Sequence, residues 1–407
     1  GIRDVAVTGV QTCALPISRS PLSLWPLPEP PGTLLSERLK RRVGRTLVAV
    51  IVAPLVALVA GIAVFHAAAN SLGHAPSSGQ SPDGPRAVTP VLSVRRVPAP
   101  LVVAVRSGKL SESLARVINA VRSSSCLAVA VDGRSVVSSN GDKTFLPGSN
   151  MKILVAAVAL DVLGAESHFT TEVRGSVSAD GSVDRLVLVG GGDPVLSTDA
   201  YPRQSLNTYP PTDITRVETL VDEVVAAGVK RVDKLLGDAS RYDKRTEAPG
   251  WVGAIRSGDA APLSALMIND GYLGSGTTRR SSSTQGALEV FRSLLEDRGV
   301  SVGALGEGSG KQSPVIASIE SAPLSTVVKE MLVTSDNNTA ELMLKEIGYK
   351  AAGKGSTASG AKVLSAKLDE WGIPVDRHVF ADGSGLSDLD RVSCNTFIRV
   401  LVRTGGS

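Results

Sequence analysis

An uncharged apolar run from Leu47 to Phe65 holds 19 residues. At a rise of ~1.5 Å per residue it spans a hydrocarbon core of ~30 Å, which predicts one transmembrane helix. Arg38, Lys40, Arg41, Arg42 and Arg45 lie just before it. By the positive-inside rule they keep the N-terminus in the cytoplasm and send the following residues outside. Pro54 is tolerated in such a helix, and Ala67, Ala68 and Ala69 leave a cleaved signal as the alternative to an anchor. Residues 66–100 carry Pro, Gly, Ser and His without apolar periodicity and read as a flexible linker. Upstream, residues 1–18 lead into nothing and read as a sequencing-adapter artefact, followed by a basic cytoplasmic tail over 19–46.

From about residue 101 the pattern is that of a folded body. The segment Leu127 to Asp132, then Gly133, then Ser135 to Ser138 predicts two strands around a turn. Met151 to Leu163 is apolar on every side and stops at Gly164, the pattern of a buried helix. Segments 170–190 and 228–240 predict strands; 214–227, 284–298, 322–333, 338–352 and 358–371 predict helices. The body is therefore mixed α and β, without the strict alternation of a doubly wound sheet, and it contains no internal repeat. A chain of 407 residues implies at least two folded units.

With 43% apolar and 20% charged residues, the composition is that of a globular chain rather than a disordered one. The net charge of +4 is small and concentrated before the apolar run, so no nucleic-acid footprint follows. Cys13, Cys126 and Cys394 lack metal-ligand spacing. In an exported chain Cys126 and Cys394 either pair or stay as buried thiols. His66, His74, His168 and His378 also lack metal spacing and give a Ser-His-Asp hydrolase little support. Gly348 to Lys354 begins like a phosphate loop, but Gly355 stands where the magnesium-binding hydroxyl belongs. Gly190-Gly191-Gly192-Asp193-Pro194 reads as a strand-ending turn.

Two motifs carry chemistry. In Pro147-Gly148-Ser149-Asn150-Met151-Lys152, a serine opens the apolar helix and a lysine follows one turn later on the same face. A lysine desolvated at a helix start has a lowered pKa and can take the serine proton, while helix N–H groups face the developing oxyanion. Alone, the pattern is weak and reads better as an ordinary N-cap serine and a surface lysine. The second motif, Ser335-Asp336-Asn337, opens another helix 186 positions after Ser149. There Ser335 is either a proton relay or an N-cap, and Asn337 can orient Lys152.

Together the two motifs resemble the penicillin-binding serine acyltransferases, which combine SxxK, SxN and KTG elements. The branch most similar is the D-alanyl-D-alanine carboxypeptidases of the peptidase S13 type. The likeness covers Leu146 to Lys152, Leu186 to Pro194, Gly237-Asp238, Pro262 to Gly271, Ser335 to Asn338 and Asp382-Gly-Ser-Gly-Leu-Ser387. It implies an α/β (α+β) fold: a β-lactamase/transpeptidase-like core over 101–169 and 321–407, with an inserted domain at 170–320.

The resemblance further implies a serine nucleophile at Ser149, a base at Lys152, and Ser335 and Asn337 completing the site. Asn150, Asp336 and Ser384 are the expected substrate contacts. The expected activity is removal of the terminal D-Ala of peptidoglycan stem peptides through an acyl-enzyme, with β-lactams as inhibitors and neither metal nor cofactor. Endopeptidase or β-lactamase activity, or a silent peptidoglycan-binding scaffold, are the alternatives. The family's Lys-Thr-Gly motif is not found where expected. Arg403-Thr404-Gly405 follows a predicted helix and reads as its cap, so the 407-residue chain is expected to be inactive or impaired by itself.

Overall fold

Asp132 and Gly133 both take positive φ, 49° and 73°, the pair that a two-residue type I′ hairpin turn requires. Strands β1 (Leu127–Val131) and β2 (Arg134–Ser139) accordingly pair antiparallel, with Val131 opposite Arg134. The protein is seen here as a computed structural model that describes residues 108–201, 211–253, 258–273 and 279–405. The segments read as adapter artefact, basic tail, membrane span Leu47–Phe65 and linker lie outside them. Among the described residues no helix is long and apolar enough to cross a membrane.

A short helix, α1 (Ala115–Ala120), precedes the hairpin, and β3 (Thr144–Phe145) follows it. Next comes α2 (Met151–Leu163), in which eight residues from Met151 to Ala159 are buried. An evenly apolar helix is stable only when enclosed, and α2 is the centre of a helical lobe. Around it pack α5 (Leu324–Thr334), α6 (Asn337–Ala352), α7 (Thr357–Glu370) and α8 (Cys394–Thr404). Leu154, Val155 and Val158 meet Met331, Met343, Leu344 and Leu364 in one core. Strand β11 (Val392–Ser393) pairs with β3, and Cys394 is bonded to Cys126 with Cα atoms 6.1 Å apart.

The second lobe is a five-stranded sheet in the order β10-β4-β5-β8-β9. It contains β4 (Thr170–Arg174), β5 (Ser182–Val189), β8 (Arg231–Asp238), β9 (Ser301–Glu307) and β10 (Val315–Glu320). A separate parallel pair, β6 (Leu196–Ser197) and β7 (Thr215–Arg216), lies between β5 and β8 in the chain. Helices α3 (Val217–Ala226) and α4 (Ser283–Glu296) touch each other and cover the sheet through Leu220, Val224, Leu288 and Phe291.

Two features of this lobe depart from the sequence reading. Strands β9 and β10 were not predicted, because both are largely exposed and β9 contains two glycines, which weakens the β signal. The body also holds a local alternation, β5-α3-β8-α4-β9, whose three strands run parallel. Such a crossover needs a helix between strands, and the antiparallel β4 and β10 beside it hide the pattern from a whole-chain reading.

Candidate active site

Gly148 has φ +54° and starts a 3₁₀ turn, Gly148–Asn150, that runs straight into α2. The turn leaves Ser149 and Asn150 exposed, whereas Lys152, one turn on, is 1% exposed. An ammonium group has three protons to place, and Lys152 Nζ places all of them. It donates to Ser149 Oγ at 3.1 Å, Asn337 Oδ1 at 2.8 Å and the Ser384 carbonyl at 3.0 Å. Burial pulls its pKa down to about 8, against the raising influence of Asp336, Glu341 and Asp382. The lysine is therefore not the surface residue that an isolated SxxK would suggest.

Ser335 is not the N-cap of α6. It adopts φ 57°, ψ 38° and closes α5, while Asp336 caps α6 by accepting the Thr339 N–H. The left-handed residue turns the chain between the two helices and leaves Ser335 exposed. Asn337 is oriented from both ends, since its Nδ2 donates to the Asp259 carbonyl at 2.9 Å. The buried Asn338 holds the facing segment, accepting from Ala261 N at 2.8 Å and donating to Asp270 Oδ1 at 3.1 Å. Burial, then the nearby Asp336, raises the Asp270 carboxyl, which also accepts from Tyr201 OH at 2.5 Å. Ser335, Asp336 and Asn337 line a cavity of about 230 Å³ that also takes in Asp259, Tyr272 and Arg279.

Ser384 differs from the expectation of a substrate contact. It is fully buried, with its hydroxyl turned to Asp382 Oδ2 at 3.3 Å, so only its backbone carbonyl serves the site. Asp382 accepts from Gly385 N, Ser387 N and Trp251 Nε1 at 2.7, 2.7 and 3.0 Å and ties the loop into a tight knot. Asp390 accepts from Ala381 N at 2.7 Å, and burial followed by the Asp382 charge raises its carboxyl. Glu341, buried on α6, accepts from Gly383 N and Ser384 N at 2.9 and 2.8 Å. None of Glu341, Asp382 or Asp390 was singled out for a role by the sequence reading. A glutamate four residues after Asn337 has the spacing that would have marked it as sharing that helical face.

Gly385 packs directly on the Gly148–Asn150 turn. Its φ is +81°, and an added Cβ would stand 1.8 Å from the Gly148 carbonyl. Gly385→Ala is expected to lower stability by about 2 kcal/mol or more in thermal unfolding. Gly353→Ala is the control: φ is likewise positive, at +66°, but the space is open, and its cost should stay near 1 kcal/mol.

The remaining candidates lie elsewhere. His168 meets the Ser321 carbonyl at 2.8 Å, and His378 meets Thr396 Oγ1 at 2.8 Å. Gly348 to Ala352 belong to α6, which leaves only 353–356 as loop. Arg403 lies in the last turn of α8 and stacks over Trp371 at 4.8 Å, with Gly405 as the C-cap, so the stretch ends a helix and is not a strand.

The profile of the D-Ala-D-Ala carboxypeptidase 3 (S13) family matches residues 110–286 and 275–405. Carboxypeptidase DacB of Mycolicibacterium smegmatis is 33% identical over 265 residues, covering 64% of this chain and 55% of that protein. The chain thus spans little more than half the length of that relative. A D-alanyl-D-alanine carboxypeptidase of Actinomadura sp. is 29% identical, covering 78% of this chain and 72% of its own. The crystal structure of penicillin binding protein 4 (dacB) from Haemophilus influenzae shares the fold, with a TM-score of 0.59 at 17% identity over 74% of this chain and 78% of that one. Residues matched from 110 to 405, on a mixed α/β fold shared with a penicillin-binding protein, place the chain in the D-Ala-D-Ala carboxypeptidase 3 (S13) family.

Proposed function

We propose that the chain carries the nucleophile and base of a penicillin-sensitive, serine-type D-alanyl-D-alanine carboxypeptidase. The observation that carries this reading is the buried Lys152 amine, held 3.1 Å from an exposed serine hydroxyl and 2.8 Å from Asn337 Oδ1. With its pKa lowered to about 8, a usable fraction of the amine is neutral near pH 7 and can take the Ser149 proton. Ser149 Oγ then bonds to the carbonyl carbon between two D-alanines. The C–N bond breaks, Ser335 relays to the leaving amine the proton that Lys152 took, and D-Ala departs. Water hydrolyses the ester and returns the enzyme. The N–H groups of the turn entering α2 support the oxyanion, and no step calls for a metal or cofactor.

The cavity lined by Ser335, Asp336 and Asn337 is where the stem peptide would lie, and Asn150, exposed next to Ser149, would be a further contact. A β-lactam would acylate the same serine. A Cys126–Cys394 bond suits an oxidising compartment, in keeping with a catalytic part outside the membrane and tethered through Leu47–Phe65. The test is D-Ala release from a peptide ending in D-Ala-D-Ala. It is run on the 407-residue chain and on any longer form its gene encodes, each with and without Ser149→Ala. Release by either form that vanishes in Ser149→Ala supports the reading. Folded wild-type forms that both leave the peptide intact would overturn it and favour a silent peptidoglycan-binding scaffold.

A further inference from the structure

Glu341 lies one turn of α6 beyond Asn337, so the two side chains share a face of the helix. It is fully buried. Oε1 accepts two backbone N–H groups, Gly383 at 2.9 Å and Ser384 at 2.8 Å, and Oε2 has no partner among the described residues. The residue held this way carries the Ser384 carbonyl, which lies 3.0 Å from Lys152 Nζ. A short path thus runs from α6 through the 383–384 backbone to the amine.

Taking Lys152 as the proton acceptor proposed above, we propose that Glu341 is a positioning residue for that lysine. By clamping the Gly383 and Ser384 N–H groups, it aims the Ser384 carbonyl at Nζ and holds the amine beside Ser149. The two acceptors of Lys152 other than Ser149, namely Asn337 and the Ser384 carbonyl, are then both set by α6. The ionisable neighbours are few. Asp382 faces Glu341 from the loop, Asp390 stands behind Asp382, and Lys152 projects from α2 with Asp336 at the start of α6. Burial, then the Asp382 charge, raises Glu341 and favours the protonated acid near neutrality. A protonated acid still accepts the two N–H groups through its carbonyl oxygen. When Glu341 ionises, its charge raises Lys152, so the two groups lose their protons in linked steps.

Two substitutions separate the clamp from the charge: Glu341→Gln keeps an acceptor oxygen and removes the titration, and Glu341→Ala removes both. Lysine ¹³C NMR titrations of the 407-residue chain read Lys152 directly, its resonance identified by its absence from Lys152→Arg. In Glu341→Gln the Lys152 titration should become a single step, about half a pH unit or more lower, because a negative neighbour is gone. Acylation by a fluorescent penicillin, followed across pH on a form that labels, should stay within about threefold of wild type in Glu341→Gln at its own optimum. It should fall by about 30- to 100-fold in Glu341→Ala, with unchanged affinity for the non-covalent complex.

Acylation by Glu341→Ala within threefold of wild type, or a fall in Glu341→Gln as deep as that in Glu341→Ala, would overturn the proposal. If Glu341→Ala does not fold, Glu341→Leu, which fills the space and accepts neither N–H group, is read in its place. A folded wild type that never acylates would instead sink the serine-acylation reading, on which this positioning role rests.

Discussion

Lys152→Met is expected to slow acylation of Ser149 by about 10²- to 10⁴-fold, the usual contribution of a positioned general base. Methionine has nearly the length of the lysine stem and suits a site that is 1% exposed, so the loss should be chemical and not a failure to fold. The pH profile gives the same residue a second signature. Wild-type acylation should rise with pH as the amine becomes neutral and level off above about 8, the value to which burial lowers Lys152.

Stability has its own signature, opposite to that of a salt-bridged lysine. Between about 8 and the ordinary value of 10.5 the unfolded lysine binds a proton that the folded one has lost. The unfolded state binds more protons there, so Lys152 makes stability rise with pH across that window. Below it the buried charge is a constant cost, which Lys152→Met removes. Denaturant unfolding at pH 7 and pH 10 should show this pH dependence reduced in Lys152→Met. An acylation rate within tenfold of wild type would contradict the role assigned to the amine.

Loss of the Cys126–Cys394 bond is expected to lower stability by about 2–5 kcal/mol, the range for a disulfide that closes a long loop. The bond joins residues 268 positions apart, and the segment between them contains both Ser149 and Ser335. It lies where the start of β1 meets the start of α8, beside the β3-β11 pair, so it closes the helical lobe at its edge. A Cys126→Ser, Cys394→Ser double variant should melt about 5–15 °C below the oxidised wild type, and reductant should lower the wild type toward it. An oxidised wild type that melts with the variant would show that the lobe holds together without the bond.

What the sequence disclosed depended on how local the cause was. The hairpin at Asp132-Gly133 was legible because two residues set the turn, and α2 because its apolar positions leave no polar face. Ser149, Lys152 and Asn337 were legible as a set, and the structure brings them within hydrogen-bond distance of one another through Lys152.

Other features depend on partners far along the chain. Nothing within reach of Ser384 says that its hydroxyl will turn inward to Asp382 while its carbonyl meets a lysine 232 positions earlier. Glu341, read locally, is one more charge on a helix. Only the approach of the 383–384 backbone makes it a buried acceptor. The Cys126–Cys394 pair stayed open for the same reason, since spacing along the chain says nothing of Cα distance. Strands β9 and β10 escaped because edge strands with exposed positions lose the alternation by which strands are recognised.

Acylation of Ser149 is the central step of the proposed reaction. The most direct measurement is peptide mapping by mass spectrometry after incubation with a penicillin, on the chain and on any longer form its gene encodes. The predicted result is a stoichiometric adduct on the tryptic peptide from Thr144 to Lys152, located at Ser149 and absent from Ser149→Ala. An adduct on any other residue, or folded forms of both lengths that stay unmodified, would contradict it.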